Sequence, residues 1–213
     1  MQTNTIFPEN VGWLHTELDK EHMDFLWRMV KKYDGKASYK QNLAGNISRS
    51  EVIVDKGNYF FVKVLIPHYM KYYNDFGGHP IRNHARGELE IRLQDFWVNY
   101  QYQNEFNPYH HHGGVYSFVV WMKIPTEWGE QHSLEFLNGM KPDDRKASNF
   151  EFEYMDSLGG IRNFGYKMDS TREGQMLFFP AALRHTVYPF YNCEEPRITI
   201  SGNLWLKPKN ESN

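Results

Sequence analysis

Cysteine is almost missing: Cys193 is the only one in 213 residues. One thiol cannot close an intramolecular disulfide and leaves no Cys-based zinc motif. The sequence is therefore expected to work in a reducing compartment, with histidine as its available metal ligand. Long apolar runs are missing too. Stretches such as Phe118 to Met122 are far too short for a bilayer, and Met1 to Asp24 has no basic start followed by an apolar segment. The expectation is a soluble, unexported, cytoplasmic protein with no membrane partner. A surplus of charge is also absent. Lys plus Arg number 24 against 26 Asp plus Glu, a net charge of -2, which supplies no global field for nucleic acid or anionic lipid. Two Asn-x-Ser triplets, at Asn46 and Asn210, read as chance matches without a secretory signal.

What is abundant is aromatic surface. Phe, Tyr and Trp make up 16% of the chain and gather in short segments between Gly, Pro and Asn, a pattern that favours a β-rich core. The length suits a single domain over 1–213. Residues 1–87 read as a mainly helical support region. Thr16 to Tyr33 has apolar residues at three-to-four spacing and stops at Asp34-Gly35, while Asn58 to Phe76 holds Pro67, which must kink or divide it before Gly77-Gly78. From Glu88 the period changes to two. Strands are expected from Glu88 to Leu93 and at Phe96 to Tyr102, Tyr116 to Ile124, Ser133 to Leu137, Asn149 to Tyr154, Gln175 to Phe179, His185 to Tyr188 and Arg197 to Leu206. A frayed tail follows over 208–213. The fold class is mainly β (α+β), a sandwich or jelly roll over 88–207 buttressed by N-terminal helices.

Three features could carry chemistry. In Tyr109-His110-His111-His112-Gly113-Gly114, extended chain puts His110 and His112 on one face and His111 on the other, so the outer pair can share a divalent ion. The two glycines would leave room for a substrate. His185, opening a strand after Phe178-Phe179-Pro180, is the best candidate for a third ligand. Twelve residues on, Arg197, Thr199 and Ser201 share a strand face opposite Ile198 and Ile200, and a guanidinium beside a hydroxyl is a good carboxylate receptor. The plainer alternative pairs Arg197 with Glu194 or Glu195. Asn99 and Gln101 lie on the face of Trp97 and could line the same pocket. Tyr109 and Tyr116 flank the histidines and could wall its mouth.

The sequence resembles the 2-oxoglutarate- and iron(II)-dependent oxygenases, and among them oxygenases encoded by marine tailed phages. The resemblance runs through Leu43 to Ile47, Trp97 to Gln101, Asn104 to Pro108, His110 to His112, Ser117 to Pro125, Glu173-Gly174, Phe178 to Ala181, His185 and Arg197 to Asn203. It implies a double-stranded β-helix with iron(II) held by His110, His112 and His185. It also implies 2-oxoglutarate bound by Arg197 with Thr199, Asn99 and Gln101 nearby, O2 as oxidant, and hydroxylation of an unactivated C-H bond with release of succinate and CO2. If the chain is phage-encoded, it would act in the host cytoplasm. The broader superfamily places Asp or Glu where this sequence has His112. That departure leaves open a three-His site, a carboxylate from Glu105 or Glu135, or another ion. Two other readings remain: a three-His cupin-type enzyme that does not use 2-oxoglutarate, and a metal-stabilised module without catalysis. A peptide, a sugar or a nucleobase would suit the aromatic content, with a peptidyl proline placed first.

Overall fold

The alternating segments from Leu89 onward pair as expected of strands that bury both faces. A computed structural model describes residues 3–6, 8–77 and 88–209. Its longest ladder joins β3 (Leu89–Gln101) to β10 (Arg197–Pro208), with Gln101 opposite Arg197 at one end and Leu89 opposite Pro208 at the other. The two segments expected around Phe96 are thus one strand, and β10 runs two residues beyond Leu206. On its other side β10 pairs with β5 (Tyr116–Lys123), then come β8 (Gln175–Pro180) and β1 (Leu14–Glu17). β2 (Arg49–Val52) closes the far edge beside β3. A second antiparallel sheet has the order β4 (Asn107–His110), β9 (Arg184–Val187), β6 (Asn149–Met155), β7 (Ile161–Lys167).

Alternation then decides which side chains face which layer. Val98, Val120, Ile198 and Ile200 point from the large sheet into a core with Leu26, Val30, Phe60, Leu65 and Tyr72. Each side chain of this size contributes about 1.5–3 kcal/mol when fully buried. The opposite face sends Val119, Trp121, Leu177 and Phe179 against Phe150, Phe152 and Tyr166 of the small sheet. Two antiparallel sheets packed face to face, with helices behind the larger one, form the jelly roll, or double-stranded β-helix.

The supporting helices follow local rules. α1 (Lys20–Tyr33) begins at Asp19, whose carboxylate accepts the backbone N-H of His22 at 3.0 Å. This cap shortens the expected Thr16 to Tyr33 helix, because Thr16 and Glu17 belong to β1. Pro67 divides the second segment: a π-helical turn, Phe61–Leu65, runs into α2 (Ile66–Phe76), with Pro67 in the first α turn, where its missing N-H is not needed. Gly77 ends α2 at φ 81°; Gly78 and residues 210–213 of the expected tail lie outside the described residues. Ser133 to Leu137 is not a strand. α3 (Trp128–His132) leads into a 3-10 turn, Glu135–Leu137. No described helix is long and apolar enough to cross a membrane.

Candidate metal centre

β4 and β9 are neighbours, with His110 opposite His185. The chain leaves the sheet after His110, and the backbone N-H of His112 donates to Ala181 O at 2.9 Å, which folds the residue back toward its partners. His110, His112 and His185 thereby bring one ligand nitrogen each to within 4.8 Å of one another. The ring Nδ1-H of His110 donates to Pro108 O (2.7 Å) and that of His185 to Leu183 O (2.9 Å), so each presents the lone pair of Nε2. The Nε2 atoms of His112 and His185 stand 3.2 Å apart, close to the spacing of two nitrogens that each lie about 2.1 Å from one ion.

Burial is the first cause of depressed basicity in all three rings. It holds His110 below its ordinary value. It brings His112 to about 3, reinforced by His110 and His111, and it holds His185 well down, reinforced by His110 and His112. Three neutral imidazoles at neutral pH are the form a divalent metal requires, so the donor set fits a bound ion. His111 is exposed and outside the group. Neither expected carboxylate joins: Glu105 accepts from the backbone N-H groups of Ser48 and Tyr102, and Glu135 is exposed in its 3-10 turn.

The triad opens into a cavity of about 270 Å³ between the sheets. Its wall on the large sheet is a row of paired residues, Arg197 with Gln101, Thr199 with Asn99, Ser201 with Trp97 and Asn203 with Asp95. Arg197 is only 1% exposed. Its Nη2 donates to Ser148 Oγ at 2.5 Å and its Nη1 to Gln101 Oε1 at 3.4 Å, while Nε has no partner. Glu195 pairs with Lys123 instead, so the plainer expectation for Arg197 is not met. Burial lowers the basicity of this guanidinium, and a desolvated cation without a counter-ion is costly. A carboxylate entering the cavity would remove that cost. Asn99 Oδ1 and Trp97 Nε1, on the same wall, are also buried without partners. These orphaned groups fit a small polar acid.

Other expectations are corrected. Tyr109 directly precedes His110 in β4, so strand alternation turns it to the opposite face, away from the mouth. Its hydroxyl donates to Glu151 Oε2 (3.1 Å) and accepts from Asn163 Nδ2 (2.6 Å). Tyr116 is core, packed on Tyr69, Tyr72 and Phe178. Gly114 leaves no space for substrate: at φ +87° a side chain there would lie 2.5 Å from Leu204 O, so the glycine serves close packing on β10. Ser148 and Asp95 were not found from the sequence. Ser148 reaches Arg197 across 49 residues from a loop with no pattern, and Asp95 is one of many charges in an alternating strand.

A model of the family described as "Putative 2OG-Fe(II) oxygenase" matches residues 95–203, just over half of the chain. In structure the chain is similar to a prolyl-4-hydroxylase from Pseudomonas putida, with a TM-score of 0.53 at 11% identity over 90% of this chain and 91% of that one. It is also similar to a viral collagen prolyl hydroxylase from Paramecium Bursaria Chlorella virus-1, solved with 2OG, at 0.50 and 13% over 90% and 94%. A non-heme alpha-ketoglutarate-dependent epimerase from nogalamycin biosynthesis, SnoN, gives 0.50 and 13% over 92% and 76%. At these identities the likeness is one of fold. No curated protein matches the sequence.

Proposed function

The chain belongs to the 2OG-Fe(II) oxygenases, enzymes that use iron(II), 2-oxoglutarate and O2, and from that premise we propose that it hydroxylates an unactivated C-H bond, converting substrate, 2-oxoglutarate and O2 to alcohol, succinate and CO2. The observation that carries this reading is the buried, carboxylate-free Arg197 in the same cavity as three neutral imidazoles. His110, His112 and His185 would hold the metal and Arg197 one carboxylate of 2-oxoglutarate, with Thr199, Asn99 and Gln101 beside it. Iron, when bound, supplies the activation of O2 and the oxidation of the substrate carbon.

The protein's own contribution is placement and dryness. Pro108 O and Leu183 O fix two imidazole tautomers, and Ser148 and Gln101 fix the guanidinium fork. Phe150, Phe179 and Trp121 wall the inner cavity against water. We read helices and sheets as one domain, and the tailed-phage resemblance as pointing to work in a host cytoplasm. Prolyl hydroxylases occur among the structural neighbours, so a prolyl residue of a peptide is the substrate we place first.

The test is succinate release by purified protein supplied with iron(II), 2-oxoglutarate and air. Slow iron-dependent release is expected even without substrate. His185→Ala should abolish it, and Arg197→Ala should raise the KM for 2-oxoglutarate about tenfold or more, the loss of a charge-assisted fork. An unchanged KM in the Arg197 variant would remove that residue from the scheme. Absence of release from iron-loaded protein would favour a three-His enzyme of another kind, or a module in which metal only stabilises.

A further inference from the structure

The cavity wall has a direction. Trp97 marks the metal level, since its ring lies 5.8 Å from that of His112. At about 3.3 Å per residue along β3, Gln101 and its rung partner Arg197 lie roughly 13 Å to one side of Trp97. Asp95 lies roughly 7 Å to the other. The Arg197 end is closed: Arg197, Gln101 and Asn99 are all buried. The Asp95 end is open: His111 and Gly113 are exposed along the same cavity, and Gly113 lies beside Trp205.

Asp95 is held but not neutralised. Its Oδ2 accepts from Asn203 Nδ2 (3.1 Å) and Trp205 Nε1 (3.3 Å), while Oδ1 accepts nothing among the described residues. No Lys, Arg or His of the described residues forms an ion pair with it. Aromatic rings stand beside it: Tyr39 stacks on Trp97 at 4.6 Å, and Trp205 carries the indole N-H that Asp95 accepts. A fixed carboxylate with a free oxygen, flanked by aromatic faces at an open mouth, is a receptor for an alkylammonium or guanidinium group. We propose that Asp95 is a specificity-determining residue that receives a cationic group of the substrate on the side of the metal opposite Arg197. This rests on the oxygenase reading and adds to it a class of substrate: one whose reacting carbon lies within a few bonds of an amine or guanidine, such as a residue near a lysine or arginine side chain.

Binding can be read without turnover, on protein loaded with Zn(II) and 2-oxoglutarate, by ligand-observed NMR with four probes. These are the Nα-acetyl amides of lysine, arginine, citrulline and glutamate. Saturable binding of the lysine and arginine probes is expected, at least tenfold tighter than citrulline, which matches arginine in shape without the charge. Asp95→Asn, which keeps an oxygen for Asn203 and Trp205, should erase the preference, and Asp95→Glu should retain it. Equal binding of citrulline and arginine, a preference that survives Asp95→Asn, or binding of no cationic probe would overturn the proposal. The same samples titrated with 2-oxoglutarate separate the two readings. Cosubstrate binding without charge preference removes only the role of Asp95, whereas failure of the wild type to bind 2-oxoglutarate removes the oxygenase reading itself.

Discussion

At the scale of single residues, Arg197 is the most constrained group of the site. A cation almost fully buried, with a serine and a glutamine for partners, is a cost the fold carries, and a bound carboxylate would relieve it. Replacing it by methionine, similar in length and uncharged, should leave the unliganded protein as stable or more stable, by about 1–4 kcal/mol, while abolishing the rise in melting temperature that 2-oxoglutarate gives the wild type. Thermal melts with and without 2-oxoglutarate check both halves; a large loss of stability without ligand would show that Arg197 is a structural anchor instead. Much of this was legible in the sequence. Arg197 and Thr199 sit at i, i+2 in β10, where spacing alone fixes a shared face, whereas His112 lies past the end of β4 and is brought to His110 by its backbone hydrogen bond to Ala181. The same alternation already sets Tyr109 on the face opposite His110, whereas nothing local says which face of β5 meets α2, where Tyr116 lies.

Among the elements, length separated what could be read from what could not. β3, β5 and β10 carry alternation long enough to be unmistakable. β1, β2 and β4 have four residues each, too few to show a period, and β7 is exposed at six of its seven residues, so it shows no buried alternation. Leu134 and Phe136 alternate as in a strand, yet the N-H of Leu137 donates to Leu134 O (2.9 Å) and closes a 3-10 turn. The tie between α2 and β1 gives a testable pH effect. His68 donates from Nδ1 to Val64 O (2.7 Å), and its Nε2 meets Thr16 Oγ1 at 2.9 Å. Burial, first among the causes, lowers its basicity below the ordinary 6.5. The unfolded chain therefore takes up this proton before the folded one, so the contribution of His68 is present above pH 6.5 and is lost as pH falls through the lower folded value. Urea melts between pH 7 and 5 should show a decline that His68→Gln makes shallower; identical slopes would contradict it.

The whole molecule divides the site between its two sheets. The three histidines belong to β4, the turn after it and β9 of the small sheet, whereas Arg197, Thr199 and Asn99 belong to the large one. Metal and 2-oxoglutarate together would clamp the two sheets across the cavity, which metal held by the histidines would not do by itself. With Mn(II) as ion, the rise in melting temperature for both ligands should exceed the sum of the separate rises, and Arg197→Met should remove the excess while keeping the metal's own effect. Strict additivity in the wild type would mean that the two ligands do not share one cavity. The most direct measurement is an anaerobic titration of iron(II)-loaded protein with 2-oxoglutarate, followed in the visible for the weak charge-transfer band of chelated cosubstrate. The band should saturate at one equivalent, vanish in His185→Ala and move to higher 2-oxoglutarate concentration in Arg197→Met. Iron bound by the wild type with no band at any 2-oxoglutarate concentration would contradict the assignment of this cavity as an oxygenase site.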